Sequence, residues 1–171
     1  MLRSPEHIMG LPQLKHESER WKITNGNKSM VFACRLGHAL LQKSTPFIFE
    51  NPWTSMIWET AQVKHLRRRS GVRMARADFC QWGMPWRKAT GLLCGFCNVA
   101  KIDRRCSGCR GLCSKTQSPH QQLSGTDPAS GLFWTHVAEP YPRGLCNDMV
   151  RTLADADKQL RHNSLGSLLG F

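Results

Sequence analysis

The sequence predicts an α/β fold, and three observations carry that expectation. Apolar residues recur at helical spacing in some stretches and cluster in short strand-like runs in others, in the order helix, strand, helix, strand, turn, strand. The stretch between the first two strands, from Phe49 to Val72, is long enough for a helical crossover joining a parallel pair. At 171 residues and 40% hydrophobic, the chain can bury one ordinary core and is most simply one domain.

Residues 1–28 are polar and broken by Pro5, Gly10, Pro12, Gly26 and Asn27, so they read as a lead-in, mostly loop. From Ser29 to Lys43, Phe32, Ala33, Leu36, Ala39 and Leu40 recur at three- and four-residue spacing, which predicts an amphipathic helix with Ser29 as a cap. Phe47, Ile48 and Phe49 suit a buried strand, and Glu50-Asn51-Pro52 ends it. A helix follows from about Trp53 to Leu66 and closes on Arg67, Arg68, Arg69 and Gly71, where cations oppose the negative helix end.

Val72 to Ala77 alternates imperfectly with Arg73 and Arg76 and predicts a short strand with one wet face. Gly83 and Pro85 form a turn, and Thr90 to Leu93 is a further strand. From Cys94 to Gly131 hydrophobic residues thin out, which predicts an irregular Cys-rich insertion. Leu132 to Val137 reads as a terminal strand. Pro142 then opens a helix to about Leu160 with Leu145, Met149, Val150 and Leu153 inward. Residues 29–160 thus form the α/β domain, and 161–171 a flexible tail.

Carboxyl ends of strands are where ligands collect in open α/β sheets, so Glu50 and Asn51 are site candidates. The plainer alternative is a turn in which Glu50 caps the next helix. The formal charge of +12, from 24 Lys and Arg against 12 Asp and Glu, points to a polyanionic partner through release of counterions from phosphates. Arg87, Lys88, Arg104 and Arg105 are the candidate nucleic-acid contacts, although a solvated basic face accounts for any single run.

The first residues, MLRSPEHIMG, lack the apolar core of a signal peptide, so an intracellular protein of nucleus or cytoplasm, not a secreted one, is expected. No apolar run approaches the roughly 20 residues of a membrane-spanning helix, so no membrane partner is expected. The eight cysteines then bear on metal binding rather than disulfides. Cys94, Cys97, Cys106 and Cys109 make C-x2-C-x8-C-x2-C, and two such knuckles suit tetrahedral zinc, though the x8 gap is shorter than usual. A second ligand set is Cys106, Cys109, Cys113 and His120; a third reading has Cys94 and Cys97 simply buried on a strand.

Several short motifs together resemble one family. Glu50-Asn51-Pro52 with Ser55 and Trp58, then Asp78-x-Cys80-Gln81-x-Gly83 with Pro85 and Arg87-Lys88-x-Thr90, resemble the second half of cytosine-5 DNA methyltransferases, including shortened forms of viruses and mobile elements. His120-x-x-Leu123-x-Gly125 and Ala138-Glu139-Pro140-Tyr141-Pro142 with Leu145-Cys146 are similar to the end of that group, and Leu2-Arg3-Ser4, Gly10-Leu11-Pro12 and Gly26-Asn27 to the segment after its Pro-Cys loop. The resemblance implies a partial Rossmann-like methyltransferase sheet, DNA as partner and a flipped base. It assigns Glu50 to protonating the cytosine ring and Asn51 to orienting the strand end.

The family's Gly-rich loop for S-adenosylmethionine and its Pro-Cys nucleophile have no counterpart here: Gly10, Gly26 and Gly37 do not make G-x-G-x-x-G, and no Cys follows a Pro. Cys34 and Cys80 read as core or strand-end residues. The expectation is therefore a truncated, inactive methyltransferase-like fragment that does not bind S-adenosylmethionine and lacks an N-terminal half-domain. The alternative is a basic nucleic-acid-binding module stabilised by zinc, with Trp82, Trp86 or Phe96 available for base stacking.

Overall fold

The computed structural model describes residues 2–169, with side chains described through residue 163. Three strands, β1 (Phe47–Pro52), β2 (Val72–Asp78) and β3 (Ala89–Gly95), form one sheet in the order β1-β3-β2. Helices α1 (Glu17–Gln42) and α2 (Ala61–Arg67) cover one face. Helix α4 (Arg143–Leu169) covers the other, preceded by the one-turn α3 (Trp134–Val137).

The mixed α/β class is present, but the sheet is antiparallel rather than Rossmann-like. β1 and β2 do run in the same direction around the helical connection, as expected of a crossover. They are not neighbours, however, because β3 inserts between them and pairs antiparallel with both, Glu50 facing Leu92 and Ala75 facing Leu92 from the other side. β3 is the most apolar strand, and the central position buries it on both faces.

Alternation along the strands divides the core in two. Phe49, Val72, Met74 and Leu93 face Met30 and Cys34 of α1 and Val63 and Leu66 of α2, joined by Trp58. Ile48, Ala75, Ala77, Leu92 and Cys94 face Leu145 and Ala156 of α4, joined by Phe79, Trp86 and Ile102. Each fully buried Leu or Phe contributes about 1.5–3 kcal/mol relative to exposure, so the two small cores together account for the three-layer arrangement.

Several boundaries differ from expectation. α1 begins at Glu17, not Ser29, and runs through Gly26 and Asn27. The Asn27 carboxamide nitrogen donates to the Met9 carbonyl at 2.8 Å, so the lead-in folds back on the helix and offsets the poor propensity there. The Trp53–Leu66 segment is a 3₁₀ turn, Met56–Glu59, then α2, because Thr60 is extended between them. Leu132 to Val137 is not a strand: Phe133 bridges Thr126 and the chain then turns into α3.

α4 starts where Pro142 predicts, the Cys146 amide donating to the Pro142 carbonyl, but continues to Leu169 through most of the expected tail; residues 170–171 lie outside the described residues. Its buried stripe is Leu145, Thr152 and Ala156, whereas Val150 is 66% exposed. None of the helices in the described residues is long and apolar enough to cross a membrane.

Candidate metal centre

The centre is built where β2 ends. Asp78, fully buried, accepts hydrogen bonds from Arg76 at 2.8 Å, from Arg87 at 3.1 Å and from the Cys106 backbone amide at 2.8 Å. Arg87 also donates to the Cys106 carbonyl at 3.2 Å. The Asp78 amide donates to the Arg104 carbonyl, so the 104–106 segment is laid parallel to the strand end. A buried carboxylate held by two guanidinium groups and an amide is satisfied, and it ties the insertion to the sheet.

Directly after Asp78 the chain makes a 3₁₀ turn, Phe79–Trp82, that buries Cys80. On the other side, Leu112 and Pro119 bridge antiparallel, the Cys113 amide donates to the Ser118 carbonyl at 2.8 Å, and the His120 amide donates to the Gly111 carbonyl at 3.1 Å. This small hairpin returns His120 to Cys106. Gly108 permits the preceding turn, since a Cβ there would stand 1.9 Å from the Leu112 carbonyl oxygen.

Cys80, Cys106, Cys113 and His120 thereby converge, with their ligand atoms all within 4.8 Å of one another, an arrangement that can hold a metal ion. The Ser114 amide points at Cys106 Sγ and the Lys115 amide at Cys113 Sγ, both at 3.4 Å. Gln81 reaches both Cys80 Sγ, at 3.6 Å, and the Ser114 hydroxyl, at 3.3 Å. Backbone amides aimed at sulfur stabilise thiolate, the form that ligates metal.

The thiols divide accordingly. Burial pushes Cys80 up to about 12. Burial also acts on Cys113, but hydrogen bonds from the Thr116 and Lys115 amides, the Thr116 hydroxyl and His120 outweigh it and bring the thiol down to about 6. Cys106 is likewise lowered, with burial outweighed by the Ser114 amide and hydroxyl and the Gly108 amide. The pocket thus favours anionic sulfur at Cys106 and Cys113, while Cys80 would release its proton to solvent if it ligated a cation.

Of the predicted ligands, Cys106, Cys113 and His120 meet here. The others are elsewhere: Cys94 is buried on the α4 face of β3, Cys97 donates to the Gly95 carbonyl at 3.2 Å, and Cys109 is exposed on the turn before the hairpin. Burial raises Cys94 to about 12 and raises Cys97 as well, in keeping with small core residues. Cys80, read from sequence as a core or strand-end residue, is the fourth member of the cluster. No local spacing marks it in the sequence, since it stands 26 positions before Cys106.

The basic candidates are each already engaged within the chain. Besides Arg87 on Asp78, Arg104 pairs with Asp148 at 3.2 Å and lies over the Trp82 ring. Arg105 pairs with Asp103 at 3.1 Å and, with Arg76, approaches the Trp53 ring. Lys88 donates to the Ala138 carbonyl at 2.7 Å beneath the Phe79 and Tyr141 rings.

Glu50 and Asn51 are strand residues of β1 and so leave opposite faces of the sheet. Glu50 is exposed beside Tyr141, whose hydroxyl is pushed up by burial and by that carboxylate. Asn51 lines a cavity on the α1 face. No family model, curated protein or solved structure matches the chain.

Proposed function

We propose that this chain is a nucleic-acid-binding module whose Cys-rich segment is folded by a structural zinc ion. The observation that carries the reading is the Cys80, Cys106, Cys113 and His120 cluster set against an end of the sheet where Arg76, Arg104 and Arg105 alternate with Trp53 and Trp82. With Zn–S bonds of about 2.3 Å and Zn–N bonds of about 2.0–2.1 Å, a tetrahedral site has S···N edges of about 3.6 Å. Cys106 Sγ and His120 Nε2 stand 3.6 Å apart. All four positions are supplied by protein, the closed arrangement of a structural rather than a catalytic zinc.

Rings interleaved with guanidinium groups are what single strands stack on and track along, and the charge of +12 supplies the attraction. DNA or RNA in nucleus or cytoplasm is the matching partner. The methyltransferase-like reading has less on its side, since its paired Glu50 and Asn51 part across an antiparallel sheet.

Fluorescence anisotropy with labelled single-stranded and duplex oligonucleotides tests the proposal. Affinity should fall linearly in log–log form between about 50 and 200 mM salt. Trp53→Ala and Arg105→Ala should each weaken single-strand binding by about tenfold. Absent or salt-insensitive binding would refute it.

A further inference from the structure

A second site lies on the opposite face of the sheet from α4. Arg3, Asn27, Met30, Asn51, Ser55 and Thr60 are among the residues that line a cavity of about 160 Å³ between the lead-in, α1 and the end of β1. At roughly 30 Å³ per water-sized group, that is room for about five. Its chemistry is unusual for a gap in packing. The lining holds one guanidinium and no carboxylate, so it bears a net positive charge.

Two carboxamides stand in the lining. The Asn27 nitrogen is spent on the Met9 carbonyl at 2.8 Å, which fixes the orientation of the amide, and its Oδ1 is buried without a hydrogen-bond partner. A buried acceptor with no donor calls for one from a ligand or water. Arg3 uses one guanidinium nitrogen on the Ile8 carbonyl and has no acidic partner among the described residues. Ser55 has a hydroxyl proton to give, its oxygen accepting the Ile57 amide.

We propose that this cavity binds a short hydroxycarboxylate, its carboxylate toward Arg3 and its hydroxyl donating to Asn27. A single positive charge selects a monoanion, the orphaned Asn27 oxygen demands a donor on it, and the volume limits it to two or three carbons. The binding proposed for this cavity does not rest on the nucleic-acid reading. It also gives Asn51 a role of its own, as a second carboxamide that can reach the ligand.

The probe is glycolate, titrated into the full chain and followed by ¹⁵N-resolved side-chain amide signals of Asn27 and Asn51. Saturable millimolar binding is expected, as befits a ligand of so few atoms. Acetate, which lacks the donor, should bind about tenfold more weakly, and ethane-1,2-diol, which lacks the charge, should not bind. Arg3→Gln should lower glycolate affinity at least about tenfold. Asn51→Ala should lower it by a smaller but measurable factor, and decides the matter if the Arg3 variant does not fold. No saturable shift, acetate or the diol binding as well as glycolate, or unchanged affinity in the folded variants overturns the proposal.

Discussion

At the scale of residues, Asp78 does most to decide what the Cys-rich segment becomes. Its carboxylate joins β2, Arg76, Arg87 and the Cys106 amide in one buried network, which ties Cys106 to the strand end that carries Cys80. Removing one partner of a buried charged network typically costs about 3–5 kcal/mol. The Arg76 and Arg87 side chains are 20% and 44% exposed and so partly solvated, which lowers the expectation for Asp78→Asn to about 2–3 kcal/mol. Urea denaturation of the metal-free protein checks it, since the loss there is independent of any ion. The importance of Asp78 was not legible from sequence, where it reads as the polar stop of a strand. The same holds for Cys80: a single cysteine 26 positions from Cys106 has no local pattern to betray it.

Among elements, the strands were the most legible and the helix ends the least. Short apolar runs located β1 and β3, and an imperfect alternation β2, within two or three residues, and pairing then fixes the register because one residue of slip would turn every apolar side chain to the wrong face. Gly26 and Asn27 read as breakers, yet α1 passes through them, since contacts from the lead-in outweigh a propensity difference of about 1 kcal/mol. Gly95 shows the reverse, an element that depends on a missing side chain. The buried Phe47 ring of β1 lies across it, and a Cβ there would stand 2.2 Å from a ring carbon. Gly95→Ala should therefore destabilise the protein by about 2 kcal/mol through overpacking. The change appears in the thermal midpoint, and Phe47→Leu in the same chain should recover part of it by vacating the ring position.

For the whole molecule, the sheet and its helices are held by apolar burial, while residues 96–133 have little regular structure and few buried apolar side chains. Zinc removal should therefore lower the thermal midpoint and expose amides of 104–120 to hydrogen exchange, with β1, β2 and β3 still protected. Acid should act in the same direction. A lowered Cys113 thiol contributes stability that is complete above its ordinary value near 9 and is lost as pH falls through about 6, and proton competition weakens metal retention over the same lower range. Exchange protection of 104–120 that is unchanged by chelator at neutral pH would separate the segment's order from the metal.

What the sequence determined by itself is the three strands, the long helices, the mixed α/β class and the basic balance, and it offered Cys106, Cys113 and His120 among its alternative metal-binding sets. These follow from periodicity, composition and spacings of a few residues, which constrain only near neighbours. The tertiary structure decided the rest. It inserted β3 between β1 and β2, brought Cys80 to complete the cluster, and sent Glu50 and Asn51 to opposite faces. Each of those outcomes depends on which distant surfaces bury one another, and that competition is settled by packing over the whole chain rather than by any stretch of it.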